Sequence, residues 1–248
     1  MAHYLIIDQG NTSTKLTVTD SNGNSVRTAC ADILTPSVLQ DITEGATIDN
    51  AIFCSVGTMP DQIEEELRHI AHNVIMFSAD TPTPLAVDYH TPSTLGADRL
   101  AAAVGAYSMP QCNGRDLLIA DLGTAATYDR VSADGHFLGG IIAPGIRLRL
   151  KALNQFTARL PLVDDNTMKL CARSVWGTDT TSAIACGAFR GVVAEIAYYR
   201  SMMPSTAIVI LTGGDATTVS PFLPFEHIVE SNLVTRGLYN VILHNIPA

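Results

Sequence analysis

Leu5-Ile6-Ile7-Asp8-Gln9-Gly10-Asn11-Thr12 is the stretch on which the fold turns, because the chain repeats it as Leu118-Ile119-Ala120-Asp121-Leu122-Gly123-Thr124-Ala125. Each copy has three apolar residues, an aspartate, one variable residue, a glycine and then small residues. The apolar run reads as a buried strand and the Gly-containing end as a tight turn. Each copy then leads through hairpins. After the first come strands at Lys15–Thr19 and Ser25–Ala29, joined by the turn Ser21-Asn22-Gly23-Asn24. After the second come Ala125–Val131 and Phe137–Ile142, joined by Ala133-Asp134-Gly135-His136. A later pair repeats in the same order: Ala51–Gly57 and Ala207–Gly213 are both apolar strands ending in a glycine turn. Two matches in one order predict a duplication, divided near Cys112–Asp116 into residues 1–114 and 115–248.

Between the echoes, Gln62–His72 carries Ile63, Leu67 and Ile70 at helical spacing. Helices are also expected at Ser93–Tyr107, Arg147–Phe156, Thr180–Tyr199 and Leu233–His244. Val74–Phe77 and Ile228–Glu230 read as short strands, and Thr81–Pro92 as a loop.

Composition narrows the function. The chain has 248 residues, 47% of them hydrophobic and 16% charged, with a mean hydropathy of +0.21. A chain this apolar buries much of its surface, some of it suited to an oligomer interface. The formal net charge is −9, and Lys15, Lys151 and Lys169 are its three lysines. Nucleic-acid binding needs clustered cations, so it is set aside. The five cysteines are scattered without a C-x-x-C, which argues against a disulfide framework or a zinc site and suits a reducing cytoplasm. No leader segment is expected, and no apolar run is long enough to span a membrane.

Asp8–Lys15 is the first candidate site. An aspartate at the end of a buried strand is costly unless something binds it. A Mg²⁺–phosphate complex would offset that cost, since Mg²⁺ takes one or two carboxylates and keeps waters. Gly10 lets the backbone approach phosphate. Asn11, Thr12, Ser13 and Thr14 supply donors, and Lys15 adds charge. The competing account is a hairpin whose Asp and Asn satisfy only local turns. Asp121-Leu122-Gly123-Thr124 would be the second half of a nucleotide clamp. There is no G-x-x-x-x-G-K-[ST] and no G-x-G-x-x-G.

Three further segments stand out. In Thr94-Leu95-Gly96-Ala97-Asp98-Arg99, a helix start favours an anion, Arg99 can fork a carboxylate, and Asp98 can take a hydroxyl proton. From these residues alone, a capping or helix-surface ion pair is the favoured account. Gly139-Gly140 with Pro144-Gly145 is either a structural corner or a ligand loop. Gly177-Thr178-Asp179-Thr180 is a helix cap that can also meet a ligand. His69 and His72 read as surface residues, and Trp176 as core or interface.

In order and spacing, these segments resemble those of the type III pantothenate kinases. Tyr89, Phe156-Thr157-Ala158-Arg159-Leu160-Pro161 and Thr212-Gly213-Gly214-Asp215-Ala216 complete the pattern, which covers nearly the whole chain. The resemblance implies an actin-like ATPase architecture: duplicated α/β domains of ribonuclease-H-like fold, with mixed β-sheets flanked by helices. It implies a cytoplasmic homodimer that phosphorylates pantothenate with ATP, using Mg²⁺ or another divalent cation and K⁺ or NH₄⁺. On that pattern Asp8, Gln9, Gly10, Asn11, Thr12, Ser13, Thr14, Lys15 and Thr124 meet ATP, with Asp8 near Mg²⁺. Asp98 is the general base. Tyr89, Gly96, Ala97, Asp98, Arg99 and Thr180 meet pantothenate, and Asp121 holds the monovalent cation. A regulatory, nucleotide-binding relative of the Bvg accessory factor type is the alternative. Two departures matter. The loop continues Ser13-Thr14-Lys15 where a glycine is common, and Asp179 stands where Asn is common. An acid there is expected to point away from an anionic substrate or to pair with a cation.

Overall fold

A computed structural model describes residues 3–10, 12–55, 57, 61–171 and 173–246. Asn11, among the expected phosphate-loop donors, lies outside these residues, as does Val56. The order begins β1 (His3–Gln9), β2 (Thr14–Asp20), β3 (Ser25–Ala31), α1 (Pro36–Thr43), β4 (Ile48–Ser55), α2 (Asp61–Ile70) and β5 (Ala71–Met76). A two-residue β6 (Ala86–Val87) precedes α3 (Ala97–Tyr107). Then come β7 (Leu117–Leu122), β8 (Ala125–Val131), β9 (His136–Pro144), α4 (Ile146–Gln155), α5 (Asp165–Cys171) and α6 (Thr180–Ser201). The chain closes with β10 (Ile208–Thr212), the single turn α7 (Ala216–Val219), β11 (Ile228–Val229) and α8 (Leu233–Asn245).

The chain forms two compact units. The first comprises Met1–Asn113, Asp134–Leu138 and Asn232–Ala248; the second comprises Gly114–Ala133 and Gly139–Ser231. The last helix, α8, thus belongs to the first unit, and β9 begins in the first unit and ends in the second.

One sheet runs β3-β2-β1-β4-β5. Here β1 is antiparallel to β2 and parallel to β4, and β4 is parallel to β5. The other runs β11-β10-β7-β8-β9-β6. In it β7 is antiparallel to β8 and parallel to β10, and β10 is parallel to β11. Renumbered from its first strand, β7–β11 has the same order as β1–β5, and the pairs β7–β8, β7–β10 and β10–β11 have the same directions as β1–β2, β1–β4 and β4–β5. The duplication read from the two Asp hairpins is therefore present in the topology. Asp8 and Asp121 are each the penultimate residue of the central strand. The first hairpin is one residue longer, with four residues between ladder partners Gln9 and Thr14 against three between Leu122 and Ala126.

In the first sheet, Leu5, Ile7, Leu16, Val18, Ala51 and Phe53 form a core with Leu39 and Ile42 of α1 and Ile63 and Leu67 of α2. By strand alternation Tyr4, Ile6, Asp8, Lys15, Thr17, Ile52 and Cys54 point to the opposite face, where α3 and α8 pack. The second unit's core joins Leu118, Ala120 and Leu122 of β7 to Ala185, Phe189 and Val192 of α6 and to Val209 and Leu211 of β10.

The local pattern missed some elements. α1 starts with Pro36 at its first turn, after a Thr35 N-cap that accepts from Val38. α5 and β6 were also unanticipated. The helix expected from Ser93 begins only at Ala97, because Pro92–Thr94 is a 3₁₀ turn and Leu95 is extended. α2 stops at Ile70, and β5 starts at Ala71, earlier than the strand expected at Val74.

Alanine dominates α3 for a packing reason. Arg99 through Ala106 are all buried, and α3 lies against α8. At the crossing, a Cβ on Gly237 would overlap the carbonyl oxygen of Ala101, and one on Gly105 would overlap that of Leu233. Helix propensity alone favours Ala over Gly by about 1 kcal/mol. Gly237→Ala is expected to reverse that sign, destabilising the protein by about 1–3 kcal/mol through overpacking. The measurement is the urea midpoint at constant m; a midpoint equal to or above that of the parent would refute the close crossing.

Candidate active site

In the first unit the pleat sorts the Asp8–Lys15 segment into two faces. Asp8 pairs in the ladder with Lys15 on one side and Cys54 on the other, so the three side chains share the α3/α8 face. Gln9 pairs with Thr14 and Ser55, on the opposite face. Thr14 is 1% exposed. Ser55 Oγ donates to Gln9 Oε1 at 2.9 Å and accepts from Gly57 N–H at 2.9 Å. The hairpin closes where Gly10 N–H donates to the Ser13 carbonyl at 3.1 Å. Thr12 is exposed at the tip.

The Asp8 carboxyl is pushed up to about 6 from the usual 3.8. Burial is the largest cause, the neighbouring Asp98 carboxylate adds to it, and Lys15 offsets part of it. Burial also drives the Cys54 thiol well above its ordinary value, with Asp8 and Asp98 adding to the effect. Cys54 is thus a neutral wall beside the carboxylates. Lys15 Nζ donates to Asn232 Oδ1 at 2.5 Å.

Asp98 reaches this cluster from the first turn of α3. Gly96 is the N-cap and carries no capping side chain. Its missing side chain leaves room for Asp98, whose Oδ1 would lie 2.6 Å from a Cβ at position 96. Asp98 Oδ1 accepts from the Arg99 N–H at 2.9 Å. Arg99 is 6% exposed. Its guanidinium lies 5.8 Å from the Tyr89 ring centroid and 5.9 Å from that of Phe137, within cation–π range of both. Phe137 reaches Tyr89 through β9's first residues, where His136 and Phe137 pair with Ala86 and Val87 of β6. Ala97 is half-buried between Gly96 and Asp98.

In the second unit Asp121 pairs with Thr127 and Thr212. Gly213 has φ of +85°, a conformation that glycine adopts without strain. A Cβ there would overlap the Asp121 carboxylate and meet the Leu122 backbone at 2.6 Å. The carboxylate is therefore walled by main chain. Asp215 N–H donates to the Leu122 carbonyl at 3.1 Å, and Gly145 N–H to the Thr124 carbonyl at 3.0 Å. The two glycine-rich turns, at Gly145 and Gly213, thus both pack on the Asp121 hairpin. Asp215 is 3% exposed, and burial raises its carboxyl against the pull of Arg147. Arg147 lies 2.7 Å from Asp165 and 3.7 Å from Asp215.

Thr180 is exposed at the first position of α6. Asp179 caps that helix. Its Oδ1 accepts from Ser182 N–H at 3.0 Å, and its Oδ2 from Ser182 Oγ at 2.9 Å. These bonds hold its carboxyl below the usual aspartate value. Asp179 is thus turned into its own helix.

Cys54, Ser55, Phe137 and Asn232 surround these groups and were not singled out for the site from sequence. Only their ladder or helix-cap positions reveal them. Among the described residues no cluster of three or more His, Cys, Asp or Glu could hold a metal. A divalent cation there would use one or two carboxylates and phosphate oxygens, the hard oxygen set that Mg²⁺ prefers. No helix is long and apolar enough to cross a membrane among the described residues.

The chain is similar to known proteins along nearly all its length. A family model described as Type III pantothenate kinase matches residues 4–219. A type III pantothenate kinase from Porphyromonas gingivalis is 37% identical over 250 residues, covering 99% of this chain and 100% of the relative. One from Phocaeicola vulgatus is 35% identical over 247 residues, covering 97% and 98%. Solved structures share the fold at lower identity. A Baf family transcriptional activator from Campylobacter jejuni aligns with a TM-score of 0.62 at 21% identity, covering 97% of this chain and 98% of that one. A ROK family glucokinase from Streptomyces griseus aligns with a TM-score of 0.52 at 15% identity, covering 97% and 98%. The two mixed sheets flanked by helices are the fold shared with these solved structures. From the end-to-end match at more than one-third identity it follows that the chain belongs to the type III pantothenate kinase family.

Proposed function

We propose that this protein transfers the γ-phosphoryl group of ATP to the primary hydroxyl of pantothenate, the first step of coenzyme A synthesis. The family match carries the reaction, and the pairing of Asp8 with Asp98 carries the mechanism. Asp98 takes the acceptor proton. Its Oδ1 is fixed by a backbone N–H, which leaves Oδ2 for the hydroxyl. Phosphoryl transfer is mainly positioning and charge stabilisation, so a carboxylate with reach suffices when the proton leaves late. Arg99, held between Tyr89 and Phe137, offers a buried cation for the pantothenate carboxylate. Gly96, Ala97 and Thr180 complete the acceptor contacts on the family pattern. A regulatory protein without kinase activity would have no use for a base and a cation side by side on α3.

Asp8 fits a divalent cation held through phosphate or water. Its partly buried carboxyl lies beside a second carboxylate, the setting that a cation relieves. When bound, the metal neutralises charge on the phosphates. On the family pattern Gln9, Gly10, Asn11, Thr12, Ser13, Thr14 and Lys15 belong to the ATP loop, and Thr124 is likewise assigned to ATP. Asp121 holds K⁺ or NH₄⁺; the backbone packed against its carboxylate by Gly213 supports an oxygen cage for a large monovalent ion. By sequence the chain divides into two duplicated domains, residues 1–114 and 115–248; of the second stretch, Asp134–Leu138 and Asn232–Ala248 belong to the first compact unit.

The protein acts as a homodimer. Ala183, Gly187, Ala194, Tyr198 and Met202 form an exposed stripe along one face of the 22-residue helix α6. Phe156 and Trp176 of the same unit are 79% and 83% exposed. Such apolar surface favours a second copy. All five cysteines are free, which suits the cytoplasm.

Three outcomes are expected. Asp98→Asn lowers kcat by about 10²–10⁴-fold, the usual worth of a general base, with an unchanged circular dichroism spectrum; near-normal phosphorylation would remove Asp98 from the role. ATP consumption requires pantothenate and is faster in K⁺ than in Na⁺ buffer. Hydrolysis indifferent to pantothenate would sink the kinase reading, and indifference to the cation would sink the Asp121 assignment. The third concerns stability. The folded value of Asp8 lies above its unfolded value, so the folded state holds more protons between about pH 4 and 6. The stability this confers is full below about pH 4 and is lost as pH rises through about 6, amounting to as much as ~3 kcal/mol for about two pH units. Asp8→Asn therefore raises metal-free stability at pH 7.5 while removing activity, and leaves stability at pH 4 nearly unchanged. Urea titrations at the two pH values check this; a less stable variant at pH 7.5 would contradict it.

A further inference from the structure

Asn232 occupies the N-cap of α8, yet its side chain makes no capping hydrogen bond. An N-cap asparagine ordinarily accepts from the N–H of the second or third helical residue, which is worth about 1 kcal/mol. Here Oδ1 accepts instead from Lys15 Nζ at 2.5 Å, across 217 positions of sequence. Asn232 is the residue at which the chain re-enters the first unit. Its helix runs on to pack against α3, the helix that carries Asp98. Lys15 faces it from β2, directly opposite Asp8 in the ladder.

We propose that Asn232 is a positioning residue for phosphoryl transfer: it holds the Lys15 ammonium in the phosphate loop without cancelling its charge. Lysine carries a flexible four-carbon stem and a compact charge, so an unheld ammonium samples many positions. A carboxylate partner would fix it but would also neutralise it. A neutral amide oxygen fixes it and adds no negative charge to that of Asp8 opposite. The capping bond given up at α8 is the stability cost of this arrangement. Serine and aspartate at position 232 are both good N-caps. Neither reproduces the function: serine is too short to reach Lys15, and aspartate pairs with its charge.

The inference rests on Lys15 meeting ATP phosphate, so the experiment first tests that. Lys15→Met is expected to lower kcat/KM for ATP at least about 10-fold while leaving KM for pantothenate within about twofold. No change would overturn the assignment of Lys15 and the proposal with it. Asn232→Asp and Asn232→Ser are then expected to keep or raise the melting temperature, because both restore a capping side chain. Both are expected to lower kcat/KM for ATP about 10-fold, again sparing KM for pantothenate. In the Lys15→Met background neither adds a further loss. Wild-type kinetics in both Asn232 variants, with Lys15→Met impaired, would overturn the proposal alone. So would a full additional loss in the Lys15→Met background, because Asn232 would then act by another route. A lower melting temperature that tracked the activity loss would reduce Asn232 to a structural role and overturn it as well.

Discussion

The contact between α3 and α8 sets the geometry of the charged groups in the first unit. Glycine at 105 and 237 lets two backbones touch where any side chain would overlap a carbonyl. Such a crossing has little freedom to slide, because close-packed interiors resist small displacements. The N-terminal turn of α3 carries Asp98 and Arg99, and the first residue before α8 carries Asn232. Both helices also cover the face of β1 and β4 that presents Asp8 and Cys54. One apolar joint therefore fixes the Asp98 carboxylate, the buried Arg99 guanidinium and the partner of Lys15 around Asp8. Phosphoryl transfer, which depends on positioning, needs such a support.

Duplication placed an aspartate at the same point of each unit's sheet, and divergence gave the two different surroundings. Each stands one residue from the end of the central strand, beside an antiparallel partner and a parallel one. Asp8 has Lys15 and Cys54 as neighbours and feels a second carboxylate. Asp121 has Thr127 and Thr212, and the main chain at Gly213 presses on its oxygens. The first setting makes ionisation costly, a cost that a divalent cation offsets. The second is lined by backbone and hydroxyl-bearing residues. Equal places in the topology thus carry unequal electrostatics.

The parts of this arrangement that are local in sequence were legible there. The strands, both hairpins and the order of the duplicated halves follow from apolar runs, glycine turns and alternation, all of which act over a few residues. α1 escaped notice because eight residues with a Thr35 cap give little periodicity to read. The late start of α3 is set by an extended Leu95 and Gly96, which propensity does not report. Phe137 and Asn232 were invisible as site residues for a different reason. Each belongs to an ordinary strand start or helix start, and each matters only because the chain carries it back into the first unit. No local pattern encodes that return.

The contiguous motif Asp8–Lys15 shows how far a run of residues can be read as one device. The ladder divides it by alternation. Asp8 and Lys15 face α3 and α8, where charge can act on a ligand. Gln9 and Thr14 face the other way, with Thr14 buried and Gln9 tied through Ser55 to Gly57. The first pair carries the charge, and the second anchors the hairpin to β4 and holds its shape. A substitution on the second face would reach Asp8 and Lys15 only by moving the loop, so its effect depends on how rigidly the Gln9–Ser55–Gly57 chain is held. The spacing of the motif reflects this division. Two reactive side chains must emerge on one face of a hairpin, and the residues adjacent to them in sequence necessarily emerge on the other.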